Sequence, residues 1–254
     1  MRTNDRSGHV VAVVGGVGAT SGVLRTYASV VEDMAGLETR VIASDYGLHD
    51  LAPDIGAVVL VRTAPERAQR LRDSLTGLPV VTDQDTTAIA LAAAVHNTLS
   101  RIGRAPEASR IVIAGARTMP ALCPLLLAAG IGDITTWNPR DAMVFPLRRI
   151  AADADAVINL VGGGGRFAWP RHDTPAVIVP DPGRDPLLAL PGLLRALTQD
   201  SFIQLTVDVQ HACAMALAAV TPSGHQLPRW PEPSLVTQIA DAAAAPRHPQ
   251  GDPR

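Results

Sequence analysis

The fold is decided by one stretch of the sequence, RIVIAGARTMPALCPLLLAAGIGDITTWNPR, which covers residues 110–140. Its first apolar run, Ile111 to Ala114, has the length of a buried strand and is stopped by Gly115. The next apolar run, Leu122 to Ala129, is typical of a helix, and a glycine follows it as a C-terminal stop. Ile134 to Trp137 then predicts a second strand. The stretch therefore predicts a strand, turn, helix and strand of a parallel α/β sheet.

The turn after the first of these strands lies where a nucleotide-binding sheet meets pyrophosphate with backbone N–H groups and the positive end of a helix dipole. The predicted contact residues are Gly115, Ala116, Arg117, Thr118 and Met119. Only the first glycine of a G-x-G-x-x-G fingerprint is present, since arginine stands at the second position and proline at the third. The scaffold is that of a dinucleotide domain with altered contact residues.

The end of the second strand bears on the choice of dinucleotide. Asn138 stands where an acidic residue would hold the 2′-hydroxyl of an NAD ribose, and Arg140 can meet a 2′-phosphate. These two residues favour NADP over NAD as the bound nucleotide.

Composition bounds the class of protein. The chain has 254 residues, of which 47% are hydrophobic, so it can form a sizeable core. Its formal net charge is −2 and it has no basic cluster, which argues against nucleic acid as a partner. It has no apolar run long enough to span a membrane. Cys123 and Cys213 lie in separate apolar helical runs, which predicts reduced thiols and a cytoplasmic location.

The first part of the chain predicts another α/β unit. Val10 to Val14 is a buried strand, and the glycine-rich turn Gly15 to Gly22 leads into a helix. This turn is either a phosphate cradle or a tight turn that lets the helix pack closely on the sheet. Ile55 to Val61 and Pro79 to Thr82 are further strands, separated by a charged, exposed helix over Pro65 to Leu75.

The later elements continue the pattern. A helix is predicted over Thr86 to Ile102, strands over Ala156 to Val161 and Ala176 to Val179, and a long helix over Phe202 to Ala219. The glycine run that begins at Gly162 either approaches a cofactor or forms a loop. The predicted fold is α/β: a doubly wound, mostly parallel Rossmann-type sheet with a smaller N-terminal α/β lobe. The boundaries are 1–85 for the lobe, 86–245 for the sheet domain and 246–254 for a disordered tail.

Five segments in order along the chain resemble the malic enzyme family. Residues 82–89, TDQDTTAI, resemble the family's HDDQHGTAI, and residues 189–197, ALPGLLRAL, resemble FPGIFRGAL. Residues 205–218 resemble INEEMKIAAAEAIA, residues 227–243 resemble the closing segment of the family, and residues 32–38, EDMAGLE, resemble FKAFAGID. The resemblance implies a shortened N-terminal lobe, an NAD(P)-binding domain and a homodimer or other homo-oligomer.

The same resemblance places the candidate catalytic positions. The family lysine falls on Tyr27, and the family's adjacent metal-binding Glu-Asp pair falls on Arg62 and Thr63. Asp83 or Asp85 matches the third carboxylate. The chain contains no lysine, so no such residue compensates elsewhere. Because Mg²⁺ and Mn²⁺ need hard oxygen ligands, we expect no divalent metal and no decarboxylation of malate.

Two hypotheses remain from the sequence. The first is an NAD(P)-dependent oxidoreductase with a changed substrate, in which Arg62 and Arg117 hold an anionic group. The second is a non-catalytic, nucleotide-sensing or partner-binding protein that keeps the fold.

Overall fold

The computed structural model describes residues 10–44, 48, 51–162, 175–200 and 203–245. The predicted tail at 246–254 and the glycines at 163–165 lie outside these ranges. The strands are β1 (Val10–Gly15), β2 (Glu38–Ile42), β3 (Ile55–Val61), β4 (Val80–Thr82), β5 (Arg110–Ala114), β6 (Asp133–Trp137), β7 (Ala156–Asn159) and β8 (Ala176–Ile178). The helices are α1 (Ser21–Val30), α2 (Pro65–Ser74), α3 (Asp83–Arg101), α4 (Leu122–Ala128), α5 (Leu147–Ile150), α6 (Asp185–Gln199), α7 (Val207–Val220) and α8 (Pro233–Ala244).

The strands form two separate four-stranded sheets, and both are parallel throughout. The first has the order β2-β1-β3-β4 and the second has the order β6-β5-β7-β8. The α/β prediction is confirmed, and the four strands predicted after residue 86 pair as a parallel sheet. In each sheet the chain reverses its direction of winding between the first and the third strand. Such a reversal opens a crevice beyond the carboxyl ends of those two strands, where α/β proteins bind ligands.

Each sheet is covered on both faces. Alternate residues of β1 and β3, such as Val11 and Val59, face one large apolar core, while their neighbours face a smaller cluster under α2. In the second sheet Ile111 and Ile158 face the same large core, whereas Val112 packs towards α5. One core therefore lies between the two sheets. The division of the chain at residue 85 stays a prediction.

Helix α3 runs through this shared core. All residues from Asp85 to Val95 are buried, and most of them are small and apolar, so helices can pack closely around it. The helix begins at Asp83, three residues before the predicted start. Its cap is Thr82, whose hydroxyl accepts from the Asp85 N–H while the Asp85 carboxylate accepts from the Thr82 N–H. This capping box ties the last strand of the first sheet to the central helix.

The C-terminal helices complete the core on the side of the first sheet. Arg195 of α6 donates from Nη2 to the carbonyl oxygens of Met34 and Ala35, which lie in a π-helical turn after α1. Helix α7 begins at Val207 with Thr206 as its cap, so the helix predicted from Phe202 starts later than expected. Among the described residues, no helix combines the length and the apolar character that crossing a membrane requires.

Candidate functional site

The end of β3 has an unusual backbone. Arg62 has a φ angle of 56°, and it is the only non-glycine residue with positive φ in the described ranges. Such a conformation costs about 1–3 kcal/mol and is concentrated at functional sites. A Cβ atom on Gly16 would lie 2.4 Å from the Arg62 carbonyl oxygen, so the glycine-rich turn after β1 can approach this segment only without a side chain. Arg62 also donates from Nη1 to the Gly18 carbonyl oxygen at 2.8 Å.

The structure brings the three candidate catalytic residues together. The Arg62 backbone N–H donates to Asp83 Oδ2 at 2.8 Å, and Asp83 opens helix α3. Burial raises the pKa of Asp83 to about 6, against the lowering effect of N–H groups from Arg62 and Gln84. Burial and then the Asp83 carboxylate raise the pKa of Tyr27, while Arg62 lowers it. Asp83 can therefore exchange a proton near neutral pH, whereas the Tyr27 phenol stays protonated.

This cluster does not fit a divalent metal. Asp83 is its single carboxylate, and one of the two oxygens already accepts from the Arg62 N–H. The guanidinium of Arg62 lies where the resemblance places a metal-binding acid, and it would repel a cation. In the part of the chain that the structure describes, no group of three or more His, Cys, Asp or Glu side chains could hold a metal ion.

A small pocket of about 450 Å³ opens beside this cluster, between the glycine-rich turn and α2. Its described lining residues include three arginines and no acidic residue: Val17, Arg62, Thr63, Ala64, Arg67, Arg70 and Gln84. We call it the arginine pocket. It adjoins a larger cleft of about 880 Å³ between the two halves of the molecule, because Arg70 and Gln84 line both.

The larger cleft joins residues of both halves. On one side it is lined by α2 and the start of α3, and on the other by Pro120, Ala121 and Pro124 near the start of α4. Gln210 of α7 also lines it, and the side-chain Oε1 of this buried residue has no hydrogen-bond partner among the described residues.

The candidate nucleotide residues lie around the crevice of the second sheet. Gly115 follows β5, with a φ of 87°, and its N–H donates to the Trp137 carbonyl oxygen at 2.8 Å. Asn138 follows β6, and the exposed Gly162 follows β7 with a φ of 71°. Arg117 and Arg140 are exposed near the same edge. The structure thus gathers these predicted residues at the carboxyl ends of three neighbouring strands.

The turn after β5 is irregular, and the helix predicted from Leu122 begins at that residue. Ala116 to Thr118 form a 3₁₀ turn, and α4 has no side-chain cap. The N–H groups of Thr118 and Met119 already donate to the carbonyl oxygens of Gly115 and Ala116, and the Met119 side chain is buried in the core. A phosphate here would consequently depend on arginine side chains more than on a helix N-terminus. The exposed guanidinium of Arg117 can supply such a contact.

The architecture was compared with those of known proteins. No protein-family description matches the chain, and no curated protein matches it in sequence. Among solved structures it superposes on the malic enzyme of Pyrococcus horikoshii with a TM-score of 0.74 and 17% identity, over 95% of this chain and 76% of that one. The chain has the malic enzyme fold. The NAD-dependent malic enzyme of Thermotoga maritima gives 0.77 and 16%, over 94% and 85%. The malic enzyme of Entamoeba histolytica gives 0.73 and 17%, over 94% and 69%.

At these identities the likeness shows the malic enzyme fold alone. It confirms the resemblance that the sequence segments predicted, in their order along the chain. The sequence did not predict Arg67, Arg70 and Gln84 as members of a site. The spacing of Arg67 and Arg70 was a usable signal, because residues three apart on a helix share a face.

Proposed function

We propose that this protein binds a dinucleotide, NADP in preference to NAD, in the crevice of its second sheet, and that it descends from oxidoreductases without decarboxylating malate. The observation that carries the proposal is the convergence of Gly115, Asn138 and Gly162 at the switch point of a parallel sheet within a malic enzyme fold. Arg117 and Arg140 supply positive charge there in place of the missing fingerprint glycines. A bound dinucleotide would supply the hydride chemistry of such a protein.

The first half supports a changed chemistry. Arg62 replaces a metal-binding acid with a cation that can neutralise a substrate carboxylate or phosphate. Asp83, with its pKa raised to about 6, is the one group of the cluster that can give or take a proton near neutral pH. Cytoplasmic location and assembly into a homodimer belong to the same proposal.

A second candidate is a nucleotide sensor without catalysis. The buried Tyr27 favours it, because a phenol whose pKa is raised by burial cannot replace a lysine in proton transfer at neutral pH.

A thermal-shift panel with NAD, NADP, their reduced forms and malate tests the proposal. A ligand that binds only the native state raises the stability by RT ln(1 + [L]/Kd), so we expect NADP to raise the melting temperature more than NAD does. Malate with Mg²⁺ should yield no NADPH. Malate-dependent NADPH formation that EDTA abolishes would contradict the absence of metal chemistry, and no shift with any dinucleotide would contradict nucleotide binding.

A further inference from the structure

We propose that the arginine pocket of the first sheet binds a phosphate group, as the free anion or as the phosphorylated end of a small molecule. This site is separate from the nucleotide crevice, because it lies at the switch point between β1 and β3. It rests on the anion-binding role proposed above for Arg62 and is independent of whether a dinucleotide binds.

Two arginine side chains give the arginine pocket positive charge that is held in place before a ligand binds. The Nη1 bond to Gly18 holds the Arg62 guanidinium in place, and Arg62 forms no other side-chain hydrogen bond among the described residues. Arg70 donates from Nε to the Glu66 carbonyl oxygen, which holds the side chain along α2. Two fixed guanidinium groups around one small pocket match the geometry of a tetrahedral oxyanion.

The start of α2 adds to the positive potential. This ten-residue helix has Ala64 at its cap position and no side-chain cap. Its first residue, Pro65, has no N–H and the Arg67 N–H donates to the Ala64 carbonyl oxygen, so the Glu66 N–H is the one in the first turn that lacks a side-chain acceptor. An anion next to an uncapped helix start is stabilised by the helix dipole. Ala64 and Thr63 line the arginine pocket at this point.

The buried, unpaired hydroxyl of Thr63 independently points to a ligand. Its side chain is 2% exposed, and its Oγ1 has no hydrogen-bond partner among the described residues. Leaving a buried hydroxyl unpaired costs free energy, and a phosphate oxygen in the pocket would accept the missing hydrogen bond. The strained φ of Arg62 holds this segment against Gly16 and keeps Thr63 in position. The free-energy cost of the strained Arg62 backbone and of the unpaired Thr63 hydroxyl is explained if this segment binds an anion.

Calorimetric titration of the full chain with inorganic phosphate, at constant ionic strength in chloride, tests the proposal. We expect saturable binding with one site per chain. Arg70→Gln should weaken it about tenfold, the usual effect of losing a charge-assisted hydrogen bond. The matched control is Arg25→Gln, because exposed Arg25 of α1 makes the same Nε contact to a carbonyl four residues earlier, at 3.3 Å, outside the pocket. This control should bind phosphate like the wild type.

Thr63→Val separates a ligand role from a structural one. It keeps the shape and removes the unpaired hydroxyl, so the unliganded protein should be as stable as the wild type or more so, while phosphate binding weakens about threefold or more. Titration with a phosphorylated sugar, compared with free phosphate, tells whether the pocket takes the free anion or a phosphate monoester. Absent phosphate binding, or equal binding by wild type, Arg70→Gln and Thr63→Val, would overturn the proposal.

Discussion

Asp83 is a carboxyl group whose pKa is shifted from its ordinary value towards neutral pH. It opens α3 at a buried position, where one oxygen accepts from the Arg62 N–H and Oδ1 has no partner among the described side-chain and backbone groups. Because burial raises the pKa of Asp83 to about 6, the charged form is less stable in the folded than in the unfolded chain. The stability that this residue contributes is therefore present below its ordinary pKa of 3.8 and is lost as the pH rises through about 6.

Asp83→Asn should remove this pH dependence. We expect the wild type to lose about 1–2 kcal/mol of unfolding free energy relative to the variant between about pH 4 and about pH 7.5. Urea unfolding at several pH values measures the difference. Asp153→Asn, at an exposed position, serves as the control and should follow the wild type. Parallel profiles of wild type and Asp83→Asn would contradict the raised pKa.

Arg117 decides how the turn after β5 meets a phosphate. Because the N–H groups of Thr118 and Met119 donate to carbonyl oxygens within the turn, the Arg117 guanidinium is the main remaining donor. Arg117→Gly should lower the affinity for NADP about tenfold, in keeping with about 1.5–3 kcal/mol for a charge-assisted hydrogen bond. Fluorescence titration with NADPH measures it, with Arg148→Gly, exposed on α5, as the control. A gain in affinity would mean that the arginine obstructs the crevice.

Some residues of the candidate site could be predicted from the sequence. Tyr27, Arg62 and Asp83 were predicted from family segments, and the structure groups them. The left-handed backbone of Arg62, the unpaired Thr63 hydroxyl and the proton affinity of Asp83 could not be predicted. Each of them arises from tertiary contacts, above all from the approach of Gly16, which no local pattern encodes.

Helices α6 and α8 pack closely, and this contact depends on one glycine. A Cβ atom on Gly192 would lie 2.6 Å from the Val236 carbonyl oxygen and 2.7 Å from the Ile239 Cβ. The Val236 backbone and the β-branched Ile239 side chain cannot move aside as the end of a flexible side chain could. Arg195 of α6 also donates to the Met34 carbonyl oxygen in the π-helical turn after α1, so the position of α6 is tied to the first part of the chain.

Gly192→Ala should destabilise the protein by about 1–3 kcal/mol, the range for overpacking a close contact. Thermal unfolding measures the change. Gly132→Ala is the control, because nothing lies within 4 Å of its Cβ position and its φ is not positive. Similar melting temperatures for the two variants would contradict the close packing of α6 on α8.

Strands were easier to predict than helix starts. Strand β3 has the predicted bounds, Ile55 to Val61, because a strand buried on both faces of a parallel sheet reads as a continuous apolar run. Helices α3 and α7 begin at threonine caps, Thr82 and Thr206, whose polar neighbours carry no hydrophobic period. Each start is fixed by hydrogen bonds to backbone N–H groups rather than by the pattern of buried residues.

The whole molecule repeats one strand order in two sheets around a shared core. Each sheet has a crevice at its switch point, and each crevice has a glycine in the turn after its first strand and exposed arginines. Negatively charged ligands are favoured at both positions. We propose that arginine side chains in this malic enzyme fold bind anions in place of backbone N–H groups and metal ions.

Calorimetric titration of NADP into protein freed of metal by EDTA tests this most directly. We expect one NADP site per chain and an affinity that Mg²⁺ leaves unchanged. Because arginine side chains would hold the phosphates, we also expect the affinity to fall markedly as the salt concentration rises. Binding that appears only when Mg²⁺ and malate are both added would contradict it.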